Sequence, residues 1–196
     1  MTLSSYDALS QQRGKAKTDP DWPCQQILVE TISLPAVWSG PSIEDKKQPT
    51  DAAFEDLVAR LSARRLPLDQ AEAAIDLFAR SKGANRESEL TALFAALFER
   101  LNAERAQVID GLRRFGRGQR ELAAKIRAEN ALIQSGAASP ENEGKDQKAD
   151  ALALDLRLFE EGHQTLTYVC ETPTLIEQRM FALAKAIEAR LKQAQP

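Results

Sequence analysis

Residues 85–134 read NRESELTALFAALFERLNAERAQVIDGLRRFGRGQRELAAKIRAENALIQ, a stretch with no proline. Its apolar side chains fall at Leu90, Phe94, Leu97, Leu101, Val108, Leu112, Phe115, Leu122, Ile126 and Ile133. Steps of three and four are the signature of one helix face. From Val108 onward the slots 108, 112, 115, 119, 122, 126, 129 and 133 keep heptad spacing, with Gln119 and Glu129 as polar occupants. Before that point the register is offset by one, and 101, 104, 108 and 112 read as a local eleven-residue repeat. Asn85 stands where a helix cap is expected. Gly111, Gly116 and Gly118 each cost a helix about 1 kcal/mol against alanine. Their clustering predicts a kink, a break, or a place where another helix comes close.

Residues 135–147, SGAASPENEGKDQ, are polar and aperiodic, and are expected to form a loop. Helical pattern resumes near Lys148 and continues to Gln193. Leu152, Leu156, Phe159, His163, Leu166 and Cys170 carry the stripe, which Pro173 interrupts. A proline inside a helix loses a hydrogen bond and clashes with the preceding turn. Pro173 fits better as the first residue of a new helix capped by Thr172, and Thr174 with Glu177 is an alternative capping box for that helix. Met180, Leu183, Ile187 and Leu191 then give the last stripe. Folding back about the loop makes an antiparallel hairpin. That register places Gly116 and Gly118 opposite Gly162 and His163, Gly111 opposite Val169, and Pro173 near Gln107.

Upstream, Phe54, Leu57, Val58 and Leu61 follow the start signal Pro49-Thr50-Asp51, and Leu66-Pro67 ends that helix. Asp69 is placed to cap the next, whose stripe is Ala71, Ala74, Ile75 and Phe78 and whose stop is Gly83. Residues 51–82 thus form a short helical hairpin within a helical domain spanning 50–196, and 86–193 form the long one. Residues 1–49 read as a flexible arm, with a basic cluster at Arg13, Lys15 and Lys17. Within it, 27–38 (ILVETISLPAVW) are apolar and β-branched. Ile27, Leu28, Val29, Ile32, Leu34 and Trp38 are the arm's candidates for partner binding. Two uses are open: a strap along the chain's own helices, which is preferred, or a strand added to a partner's sheet edge.

The fold class expected is therefore all-α: an elongated helical bundle built on a long antiparallel hairpin, with an extended N-terminal arm. Composition agrees. In 196 residues alanine occurs 31 times and aromatics make up only 6%, which favours helices over a β-sandwich. A net charge of −3, from 26 basic and 29 acidic residues, leaves no overall polyanion-binding footprint. A single histidine argues against multi-histidine metal and haem sites. The start of the chain shows no basic stretch followed by an apolar run. The expected compartment is the cytoplasm, with Cys24 and Cys170 reduced.

The segment Arg113-Arg114-Phe115-Gly116-Arg117-Gly118-Gln119-Arg120 is the strongest local signal. Arg113, Arg117 and Arg120 share a helix face, and with Arg114 they are candidates for binding a protein or an anion. The hairpin register puts Glu160 and Glu161 within reach, so interhelical ion pairs are the preferred account. Glu160-x-x-His163 has the spacing of di-metal helical bundles but lacks a second histidine, so no metal is expected and His163 is assigned to the core. Cys170 lies about 10 Å along a helix from His163, too far for a thiol–imidazole pair. Residues 69–97 have a helix-turn-helix spacing without a basic recognition face. No Walker loop, dinucleotide fingerprint, nucleophile elbow or zincin motif occurs. The function expected is a non-catalytic helical adaptor or regulatory subunit. It would bind a protein partner, or itself, through coiled-coil-like faces, with no cofactor, and nucleic acid is disfavoured. The alternative is a peripheral membrane protein using an amphipathic face.

Overall fold

The computed structural model describes residues 19–44, 48–135 and 142–193. Six helices follow in order: α1 Leu34–Val37, α2 Ala52–Ser62, α3 Leu68–Ser81, α4 Arg86–Gln134, α5 Asn142–Val169 and α6 Thr172–Lys192. Among the described residues there is no strand, and the molecule is an all-α bundle. The basic cluster at residues 13–17 lies outside the described residues.

Local chemistry explains most boundaries. The Asp51 carboxylate accepts the Phe54 N–H at 3.0 Å and caps α2. α3 begins at Leu68 behind Pro67, so Asp69 sits in the first turn rather than at the cap. Gly83 adopts a φ of +52°, which other residues rarely tolerate, and turns the chain through a short 3-10 segment into α4. Asn85 holds the cap position of α4 without making a side-chain capping bond.

α4 runs unbroken through all three glycines. At 1.5 Å per residue its 49 residues span about 70 Å. Its two halves have different surroundings. Every residue from Leu90 to Leu97 is buried, so this half is the central rod of the bundle. α2, α3, α6 and the N-terminal strap surround it. Phe94, Leu97, Leu61, Ile75, Met180 and Ile187 belong to one continuous core. That encirclement also disposes of a helix-turn-helix reading, because the would-be recognition segment has no free face. Beyond Gly116 no residue of α4 is buried. There the helix pairs with α5 and extends past the core as a two-helix arm.

α5 starts at Asn142, so the connection is shorter than the 135–147 loop expected from composition. The hairpin register agrees with expectation. Lys125 Nζ meets Asp155 at 2.7 Å, and the Gln119 side chain lies against Gly162, where a Cβ would overlap it. The seam within α5 differs by one position. Its least exposed residues are Leu152, Asp155, Phe159, Gly162 and Leu166. Leu156 and His163, expected inside, are exposed. The Lys125–Asp155 ion pair and the space left by Gly162 draw the polar positions inward. The chain breaks at Cys170-Glu171 and restarts as α6, with Pro173 in the first turn and no side-chain cap from Thr172 or Thr174.

Two buried arginines tie the bundle together. Arg179 donates to the carbonyls of Leu61 and Leu66 at 2.7 and 2.9 Å, closing the open carbonyl end of α2. Burial pulls its pKa below the usual arginine value. Arg105 joins Glu177 on α6 to the Glu30 carbonyl in the strap, at 2.7 and 3.1 Å.

Candidate functional site

The arginines singled out in the sequence lie on α4 where the core gives way to the hairpin. A helix advances roughly 100° per residue, which brings Arg113, Arg117 and Arg120 to one side. The polypeptide lying across that side is the N-terminal arm, not α5. Arg113 donates to Asp19 at 2.7 Å and also to Glu30. Arg117 donates twice to Asp21, at 3.0 and 2.7 Å, and Arg120 donates to the other oxygen of the same carboxylate. The expected ion pairs with Glu160 and Glu161 do not form. Both glutamates are exposed, and Glu160 instead accepts from Gln164 one turn along its own helix. Arg114 is exposed on the neighbouring face.

Gly116 makes this docking possible. A Cβ there would overlap the backbone carbonyl of Asp21 and press on Pro23, so the arm rests directly on the helix backbone. Gly116 thus marks a close approach, but by the Asp19–Trp22 turn of the arm and not by the helix expected there. The Arg113 hydrogen bond holds the Asp19 carboxyl below its ordinary range, helped by the Asp21 N–H. Glu30 and Asp19 push the Arg113 pKa up, and Asp21 does the same to Arg117.

Beside this contact Cys24 and Cys170 form a disulfide with a Cα–Cα distance of 5.6 Å. This corrects the expectation that both are reduced. They lie 146 residues apart in sequence, but the arm crosses α4 just where the Pro173 break ends α5. The Gln26 amide donates to the Cys170 carbonyl and closes the junction. The disulfide lines an open groove of about 540 Å³ that also takes in His163, Leu175 and Gln178. His163 is a groove-side residue, not a core residue. Among the described residues no group of three or more potential ligands is arranged to hold a metal ion.

The apolar segment 27–38 is a strap. Ile32 and Trp38 are buried, Leu28 and Leu34 are half-buried, and Ile27 and Val29 face solvent at 85% and 50% exposure. The Trp38 ring stacks on Phe94 with centroids 3.9 Å apart, and its indole N–H donates to the Pro41 carbonyl at 2.8 Å. Gly40 is required because a Cβ would overlap that indole. The buried Glu188 carboxylate accepts from the Ser39 N–H and hydroxyl at 2.8 and 3.0 Å, fixing the strap to α6.

The opposite edge of the hairpin carries a second feature, which sequence reasoning missed. An apolar notch of about 260 Å³ lies between α4 and α5, bounded by Gly111, Phe115, Leu166 and Val169. The apposition of Gly111 and Val169 is the one the hairpin register predicts. Leu154, Leu158, Thr165 and Val169 recur along that edge of α5 at spacings of four and seven. Leu154 and Leu158 are 55% and 48% exposed, and Leu132 near the tip of α4 is 58% exposed. The alternation of leucine at 152, 154, 156 and 158 was the available signal. On a helix it cannot all face one partner.

No family model, curated protein or solved structure matches the chain.

Proposed function

We propose that the protein is a non-catalytic helical adaptor that engages a protein partner through the notch edge of the α4–α5 hairpin. The observation that carries this reading is the exposure of Leu132, Leu154 and Leu158 on a two-helix arm reaching past the core. Fully burying one leucine contributes about 1.5–3 kcal/mol, so a partner helix covering this edge gains a useful driving force. Gly111 at the notch lets such a helix come close. Replacing Leu154 and Leu158 together by aspartate tests the reading. The variant keeps the melting temperature of the wild type, because both residues already face solvent, and it loses the partner that copurifies with the wild type. Retention of that partner would contradict it.

The disulfide supports an oxidising compartment for this adaptor rather than the cytoplasm. No described helix is long and apolar enough to cross a membrane. Alkylation of free thiols in intact cells, followed by mass measurement, tests the compartment. Blocked cysteines at 24 and 170 would contradict it.

A further inference from the structure

We propose that Cys24–Cys170 is a redox latch over a docking face on α4. Oxidised, it holds the chain's own acidic arm on Arg113, Arg117 and Arg120. Reduced, it opens that face to an acidic loop of a partner protein. This face lies on the other side of α4 from the hairpin notch, and the inference does not depend on the adaptor reading.

The arm occupies the face as a peptide ligand would. Its backbone lies on the bare helix at Gly116, and Asp19, Asp21 and Glu30 satisfy the guanidinium groups. That occupant defines the chemistry the face selects: carboxylates presented on a tight turn, in which the Trp22 N–H donates to the Asp19 carbonyl at 3.1 Å, matched to arginines one helical turn apart.

What holds the arm is chiefly covalent. The side chains of Arg117 and Arg120 are 57% and 53% exposed, so their pairs with Asp21 are weak and screened by salt, and only Arg113 with Asp19, each 24% exposed, is more sheltered. No residue from 19 to 31 is fully buried, and the first ties to the core are the Glu30 carbonyl on buried Arg105 and then Ile32. The disulfide converts these weak contacts into an intramolecular interaction at high effective concentration. Beyond Ile32 the strap is held independently by Trp38 and the Ser39–Glu188 hydrogen bonds. Opening the latch therefore frees residues 19–29 and leaves the bundle intact.

The reductant is a dithiol, small or protein-borne, and the groove beside the disulfide gives it access. Its thiolate attacks one sulfur, forming a mixed disulfide and releasing the other cysteine as a thiol. Its second thiol then closes on the first and expels the remaining cysteine. The disulfide gains two electrons and two protons, and the dithiol becomes a disulfide.

Hydrogen exchange and binding on the full chain test this, with and without dithiothreitol. Poly-L-glutamate is the probe, and the Cys24→Ser/Cys170→Ser double variant is the permanently open form. Reduction is expected to raise exchange in residues 19–29 and not in α2, α3 or α6, with a further rise in high salt. The reduced protein and the double variant should bind poly-L-glutamate at least about tenfold more tightly than the oxidised protein. Arg117→Glu/Arg120→Glu should abolish that gain. Unchanged exchange in 19–29, equal binding in both redox states, or binding indifferent to the arginines would overturn the proposal. So would loss of helical structure on reduction, since the bond would then be a staple for the whole fold. Preference for heparin over poly-L-glutamate would overturn the acidic-protein assignment.

Discussion

The backbone carbonyl of Asp21 occupies the space that a side chain on Gly116 would need. A turn of the arm and a long helix therefore share a surface without an intervening side chain, and that contact brings Asp19 and Asp21 onto Arg113, Arg117 and Arg120.

A matched pair of glycine substitutions isolates this contact. Gly118 has nothing within 4 Å of where its Cβ would lie. Gly118→Ala is expected to stabilise the protein by up to about 1 kcal/mol through helix propensity. Gly116→Ala, with the same propensity gain, is expected to forfeit it by displacing residues 19–23. Denaturant melts of the two variants check the contrast. Equal stabilisation by both would show that the arm does not rest on Gly116.

Charge exchange distinguishes the arm from α5 as partner of the arginines. A double-mutant cycle of Asp21→Arg with Arg117→Asp should show favourable coupling that fades with added salt. The cycle of Glu160→Arg with Arg117→Asp should show none. Denaturant melts of the oxidised protein, in which the arm is docked, are the suitable readout. Coupling to Glu160 instead would restore the interhelical account.

Much of the fold was legible in the sequence, and the misses have physical causes. The register of the hairpin followed from its loop, because antiparallel helices joined by a short connection leave little freedom. The seam of α5 did not follow. Leucines at 152, 154, 156 and 158 offer competing stripes, and the choice was made by Lys125 finding Asp155 and Gln119 fitting against Gly162. The arginine cluster was located correctly, but its partners Asp19 and Asp21 sat in a segment that looked too polar to dock. Nothing in a separation of 146 residues announces a disulfide between Cys24 and Cys170. The Pro173 break that brings them together was visible, but the path of the arm was not.

The strap's anchor should be costly to remove. Trp38→Ala deletes the ring stacked on Phe94 and leaves a cavity, for an expected loss of about 3–5 kcal/mol. A truncation ending before Ile32 should be far milder than one that removes Trp38. Chemical denaturation of the three proteins gives the order. A Trp38→Ala variant as stable as wild type would mean that the strap is not part of the core.

Acid should loosen the base of the bundle in a defined window. The Arg190 hydrogen bond holds the Asp76 carboxyl below its ordinary value of 3.8. Burial alone would raise Glu188, but the Lys185 and Ser39 hydrogen bonds together bring it below its ordinary 4.5. A carboxylate with a lowered folded-state pKa contributes stability that is fully present above its unfolded value. That contribution is lost as pH falls through the folded value. Stability is therefore expected to decline below about pH 4.5, and Glu188→Gln should flatten part of the decline. Thermal melts from pH 7 to pH 3 check this. An unchanged slope in the variant would remove Glu188 from the account.

The adaptor reading meets its most direct test in a photo-crosslinking measurement inside the cells that make the protein. A benzophenone side chain placed at Leu158, at the notch edge of the hairpin, is compared with one at Asp69, exposed on α3 at the far side of the bundle. The account predicts a discrete protein adduct from position 158 and none from position 69. Adducts of the same kind from both positions, or none from 158 while the protein remains folded, would contradict it.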